Sequence, residues 1–154
     1  MYRRRHGDRD GGRSAQVKSE GVTIPRHTLD EIVTHASHAR PEECCGLLIG
    51  QGAAVTAAVA VPNIAATKDT RYELDPAAYI RARREARGRG LEVLGFYHSH
   101  PHSAAEPSST DLSEALYPAH LYLIVGWPNG STDVETRVFR LHSEQFVEVT
   151  LTLM

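Results

Sequence analysis

The sequence predicts an α/β (α+β) fold, a single mixed sheet with helices packed on it. Three features predict it. Short apolar or alternating runs recur between turn signals, two segments repeat instead at helical spacing, and several runs are joined by turns of hairpin length. The chain has 154 residues, enough for one domain with a core of its own. No internal repeat or linker divides it.

Val22-Thr23-Ile24 reads as a short first strand. Residues 28–39 follow as an amphipathic helix, because Leu29, Ile32, Val33 and Ala36 share one face, and Pro41 ends it. Cys44 to Ile49 is a compact apolar run suited to a buried strand, and Ala53 to Val61 is its antiparallel partner across Gln51-Gly52. Pro62-Asn63 breaks that strand, and a polar loop runs to Arg71. Asp75-Pro76 starts a second helix with a carboxylate cap and a proline at the first helical position, and Gly88 and Gly90 stop it. Leu91 to Tyr97 is a strand that delivers the chain to His98. A loop over 101–108, a short helix over 109–116 and a strand from His120 to Trp127 come next. After the turn at Pro128-Asn129-Gly130-Ser131, two strands near 133–141 and 145–153 complete the sheet.

Residues 1–21 are set apart from this pattern. They hold six basic side chains against three acidic ones, four glycines and few large apolar groups, and are expected to be a disordered basic tail before a domain over 22–154. The whole chain carries a formal charge of −2, so the remainder is acidic, which argues against a nucleic-acid partner. No run approaches the ~18 apolar residues of a membrane span, and no apolar segment follows the first arginines as in a secretory signal. Cys44 and Cys45 are adjacent, so they cannot form a disulfide framework; they read as core packing in a reducing, cytoplasmic setting.

The chemistry gathers around His98-Ser99-His100 and Asp111, eleven residues beyond His100. Residues two apart in an extended chain project to one face, so two imidazoles can converge on one ion, and the following loop can return Asp111 as a third ligand. Two imidazoles and a carboxylate suit Zn2+ and leave a tetrahedral position open for water. A nearby carboxylate is then needed to take a proton from that water. Pattern alone leaves its identity open; Glu43 is attractive beside the apolar Cys44, Cys45 and Leu47, with Glu42 the alternative. Ser108 lies three residues before Asp111, where its hydroxyl faces the same place and can serve an oxyanion. The same spacing also matches a helix capping box. No Cys-x-x-Cys is present, which argues against a zinc deaminase. His102 is close to the loop and is a candidate substrate contact; His35, His38, His120 and His142 carry no assigned role.

Taken together, Glu43-Cys44-Cys45-Gly46, His98-Ser99-His100-Pro101 and Ser108-Ser109-Thr110-Asp111 resemble the signature of the JAMM (MPN) metallopeptidases, over roughly residues 22–154. The resemblance implies a curved, mostly antiparallel mixed sheet between helices, the cytidine-deaminase-like fold. It implies that His98, His100 and Asp111 bind zinc, that Glu43 is the general base, and that Ser108 stabilises the oxyanion. Arg71-Tyr72-Glu73-Leu74 is similar to the segment beside the substrate channel in compact bacterial members, making Arg71 and Tyr72 candidate substrate contacts; an edge strand with one aromatic anchor is the other reading.

Long insertions that grip a second ubiquitin are missing, so the chain looks like the compact bacterial branch. That branch acts on ubiquitin-like or sulfur-carrier proteins, releasing cysteine or another adduct from the carrier's Gly-Gly end. The carrier is expected in trans, its tail adding as a strand beside the metal. A homodimer is compatible with this reading. The alternatives are a non-catalytic scaffold on the same fold and a small-peptide hydrolase without a carrier.

Overall fold

A computed structural model describes residues 21–113 and 120–154. In chain order the elements are β1 (Val22–Ile24), α1 (Arg26–Ala39), β2 (Cys45–Gln51), β3 (Ala54–Val61), α2 (Pro76–Gly88), β4 (Glu92–His100), α3 (Ser109–Ser113), β5 (Leu121–Gly126), a 3₁₀ turn (Pro128–Gly130), β6 (Glu135–His142), β7 (Gln145–Val149) and β8 (Leu151–Leu153). They match the predicted elements closely, with three informative differences. The first helix starts two residues early, since Pro25 fixes an extended entry and its carbonyl accepts from Thr28 and Leu29. β4 runs on through His100 instead of ending before the histidines. The last predicted strand is two strands, parted at Thr150.

All eight strands form one sheet in the order β7-β6-β5-β4-β2-β3-β1-β8. β7 and β8 are its opposite edges, yet Val149 and Leu151 are two Cα steps apart, at most about 7.6 Å. The sheet must therefore curl until its edges nearly meet, and the carbonyl of Thr150, the residue between the two edge strands, accepts from the Val22 N–H at 2.9 Å where β8 begins to pair with β1.

Curling gives the sheet two unequal faces. Val22, Ile24, Leu48, Val55, Tyr97, Leu121, Leu123, Val125, Val138 and Val149 pack on one face with Ile32 and Ala36 of α1, which fills the curl. The other face carries Leu47, Ile49, Val61, Phe96 and Tyr122 under Ala82 and Ala86 of α2. Strand alternation makes this division: in β5, Leu121, Leu123 and Val125 face α1, while Tyr122 packs on the α2 side. α2 starts as its sequence requires, with Asp75 Oδ1 accepting from the Ala77 N–H at 3.2 Å and Pro76 in the first turn.

The predicted tail, residues 1–20, lies outside the described residues, as does the end of the predicted helix over 109–116. Val22 and Ile24 are already fully buried in the core. Deleting residues 1–20 is thus expected to leave thermal melting and zinc content nearly unchanged, at low and high salt alike. A truncated protein that melts much earlier in both salts would make those residues part of the fold.

Candidate metal and catalytic site

The site stands on the α2 side of β4. In this strand Phe96, His98 and His100 share one face, while Tyr97 turns to α1 and Ser99 is buried, its Oγ accepting from the Cys44 N–H at 2.9 Å. His98 Nε2 and His100 Nε2 lie 3.1 Å apart. Asp111, brought back by the 101–108 loop, sets Oδ1 3.2 Å from His98 Nε2 and Oδ2 3.1 Å from His100 Nε2. Both imidazoles are buried, and the three side chains offer ligand atoms within 4.8 Å of one another.

These separations fit a metal. Bonds of about 2.0–2.1 Å to the corners of a tetrahedron place its corners about 3.3 Å apart. The hydrogen bonding points the same way. His100 Nδ1 meets the Ala104 carbonyl at 3.0 Å, and a carbonyl only accepts, so Nδ1 carries the proton and neutral His100 presents a lone pair at Nε2. That lone pair faces a carboxylate oxygen, and two acceptors this close require a proton or a cation between them. Burial alone would raise the Asp111 pKa, but the His100 and His98 imidazoles and the Ser108 N–H beside its carboxylate hold it far below the usual range. Burial lowers the His98 pKa, against the pull of Asp111. Burial also opposes charge on His100, but Asp111 outweighs it and raises the pKa. A neutral His98 and an ionised Asp111 are the forms in which these groups ligate metals.

Glu43 reaches the site from just before β2. Cys45, the first residue of β2, pairs with His98 on β4, and Glu43, two residues before it, is near enough to interact electrostatically with His100 and Asp111. The Glu43 N–H donates to the Lys68 carbonyl at 2.7 Å. Only 8% of Glu43 is exposed, and this burial raises its pKa to about 7; His100 opposes the shift, and Asp111 and Asp69 add to it. Cys44 and Cys45 are buried free thiols, raised by desolvation to about 11 and about 12, which agrees with packing and not with nucleophilic chemistry.

Ser108 and Asp111 form the reciprocal capping pair that their spacing allowed. The Ser108 N–H donates to Asp111 Oδ2 at 2.9 Å, and the Asp111 N–H donates to Ser108 Oγ at 3.0 Å. Since the hydroxyl accepts in this pair, its own proton is left to donate. Tyr72 comes closer than the sequence suggested: its ring stacks on His98, centroids 4.4 Å apart and planes inclined by 20°. Arg71 and His102 are exposed, Arg71 beside Tyr72 in the chain and His102 in the turn after β4.

Asn63 had been read only as a strand breaker. Its Nδ2 donates to the carbonyls of Glu43 (2.9 Å) and Arg71 (3.0 Å), while Oδ1 accepts from the N–H groups of Ala65 and Glu73, each at 3.0 Å. One amide thereby ties the backbone of Glu43 to the segment that carries Tyr72. The only local signal was an Asn after a Pro at a strand end, a common loop sequence.

With this geometry in view, the comparisons with known proteins are informative. Residues 25–142 match the family described as prokaryotic homologs of the JAB domain. A desampylase of Haloferax volcanii is 38% identical over 120 residues, 74% of this chain and 86% of that protein. A probable TtuB-protein conjugate cleaving protease of Thermus thermophilus is 35% identical over 61% of this chain and 63% of its own length. A CysO-cysteine peptidase of Mycobacterium tuberculosis is 30% identical over 68% of this chain and 72% of its length. The solution structure of protein DSY2949 from Desulfitobacterium hafniense superposes with a TM-score of 0.76 at 27% identity, covering 86% of this chain and 92% of that one. The match spans both predicted histidine ligands, Asp111, Glu43 and strands β2 to β6, and the chain belongs to the prokaryotic JAB-domain branch of the JAMM/MPN family.

Proposed function

We propose that this chain is a zinc-dependent peptidase that hydrolyses an amide or isopeptide bond at the C-terminal end of a ubiquitin-like or sulfur-carrier protein, supplied in trans. The observation that carries the reading is the convergence of His98, His100 and Asp111 on one point, with the buried Glu43 close enough to interact with His100 and Asp111. The names of the relatives support the substrate class: one is a probable TtuB-protein conjugate cleaving protease, another a CysO-cysteine peptidase.

His98, His100 and Asp111 would hold the zinc, a donor set of two imidazoles and one carboxylate that suits this ion. Zinc bound there supplies Lewis acidity, drawing the pKa of water towards ~7 and polarising the scissile carbonyl. Glu43 accepts the proton of the attacking water and passes it to the leaving amine, a task matched by a carboxyl group raised towards neutrality. Ser108 donates its free hydroxyl proton to the oxygen on which negative charge develops. Tyr72 braces the His98 ring by stacking, and Arg71 and His102 contact the carrier's tail from the rim. No described helix is long and apolar enough to cross a membrane. The reading places the enzyme in the cytoplasm, where Cys44 and Cys45 stay reduced. It assigns the activity to a domain over 22–154.

The test is cleavage of purified carrier conjugates, one with a C-terminal cysteine adduct and one with a lysine isopeptide bond. Cleavage that a chelator stops and zinc restores is expected. If neither conjugate is cut while short peptides are, the carrier assignment falls. Ser108→Ala is expected to retain zinc and raise the barrier by roughly 2.7–4 kcal/mol, read as kcat on the cleaved conjugate.

A further inference from the structure

His100, Gly126 and Glu135 form one row across the sheet. His100 on β4 pairs with Gly126 on β5, and Gly126 pairs with Glu135 on β6. Paired residues project to the same face, so the imidazole and the carboxylate stand side by side with a residue lacking a side chain between them. Two strand spacings separate their backbones, about 9.6 Å, too far for a direct hydrogen bond.

The gap is filled by backbone from the 101–108 loop. The Trp127 N–H holds the Ser103 carbonyl at 2.8 Å, and the chain then lies directly over Gly126. A Cβ added at Gly126 would sit 2.5 Å from Ala105 N and 2.6 Å from Ala104 C, so only glycine admits the loop here. The peptide unit laid in this slot has both polar ends engaged. Its N–H, from Ala105, donates to Glu135 Oε1 at 2.9 Å, and its carbonyl, from Ala104, accepts from His100 Nδ1 at 3.0 Å. Carboxylate, peptide and imidazole form one hydrogen-bonded line, and Ala105 is wholly buried within it.

We infer that Glu135 is a positioning residue for the metal ligand His100, acting through the Ala104–Ala105 peptide. A carboxylate accepting from a peptide N–H polarises that peptide and makes its carbonyl a stronger acceptor. The stronger carbonyl fixes the Nδ1–H tautomer of His100, aims Nε2 at Asp111 and makes the imidazole a better donor to a cation. Metal-binding histidines commonly bond a carboxylate directly; in this chain the peptide is interposed. Arg137, two residues beyond Glu135 on β6, also interacts with it electrostatically, but its guanidinium is bonded to Glu148 at 2.9 and 3.1 Å and Glu106 at 3.4 Å.

The inference rests on the metal reading of His98, His100 and Asp111, and the experiment separates the two. Zinc affinity of the full-length protein is measured by competition with a chromophoric chelator, for wild type, Glu135→Gln, Glu135→Ala and the exposed-carboxylate control Glu106→Gln. The Co2+ absorption spectrum and the melting temperature of each metal-free protein are recorded alongside. Glu135→Ala is expected to bind zinc 10–100-fold more weakly. Glu135→Gln keeps an acceptor oxygen without the charge; its affinity should fall about 5-fold, with a shifted Co2+ spectrum and unchanged metal-free melting. Glu106→Gln should match wild type. Glu135→Gln binding zinc as wild type does, with the wild-type Co2+ spectrum, would overturn the inference even if Glu135→Ala is unstable. A wild-type protein that binds no zinc would instead sink the metal reading, and this inference with it.

Discussion

Purified after expression with zinc, the wild-type protein is expected to hold about one zinc per chain, and His98→Ala and His100→Ala to hold almost none. Each substitution removes one of only three protein ligands. Each also leaves Asp111 without one of the two imidazole partners that hold its carboxylate ionised against burial. One bond to the metal disappears, and the carboxylate that remains is held in its ionised form less firmly. Asp111→Asn should weaken binding less than either histidine change, because the amide keeps an oxygen donor. Metal analysis by mass spectrometry, with dialysis against a weak chelator, reads all four proteins. A His98→Ala protein retaining stoichiometric zinc would exclude the three-ligand site.

The elements that local pattern specifies were legible in the sequence. β2, β3 and β5 are apolar runs bounded by turns, and Asp75-Pro76 names the start of α2 by its chemistry. What was not legible depends on contacts between distant segments. β4 continues through His98 and His100 because β2 and β5 supply its ladder on both sides, although the apolar run stops at Tyr97. The break at Thr150 arises because the curled sheet brings its two edges together, which no periodicity within 145–153 announces.

The site divides in the same way. His98, His100 and Asp111 were visible as spacing, whereas pattern made Glu43 attractive beside an apolar run without excluding Glu42, and the resemblance made the choice. In the fold Glu43 is buried and interacts with His100 and Asp111, whereas Glu42 is exposed. Asn63 and Glu135 were missed because both act on backbone groups of other segments, and that role leaves no composition or spacing to read.

Glu43→Gln is expected to keep its zinc and lose ~10²-fold or more in kcat, since it removes a proton acceptor and no ligand. The same substitution should stabilise the metal-free protein at high pH, and the sign follows from burial. Burial raises the Glu43 pKa from 4.5 to about 7, so the folded chain binds this proton more tightly than the unfolded chain does. Wild-type stability therefore falls as pH rises from about 4.5 to about 7, then stays low. Glutamine cannot ionise, so the variant escapes that fall. With Glu43 still partly open to solvent, the difference is on the order of 1–2 kcal/mol above pH 7, and it should vanish by about pH 4.5. Thermal melts of both metal-free proteins across this range, beside single-turnover cleavage of a carrier conjugate, give the comparison. A variant that is inactive, zinc-loaded and more stable than wild type only at high pH matches a buried base kept for chemistry at a cost in stability. Cleavage at the wild-type rate would transfer the role to another carboxylate, with Glu42 first to be tested.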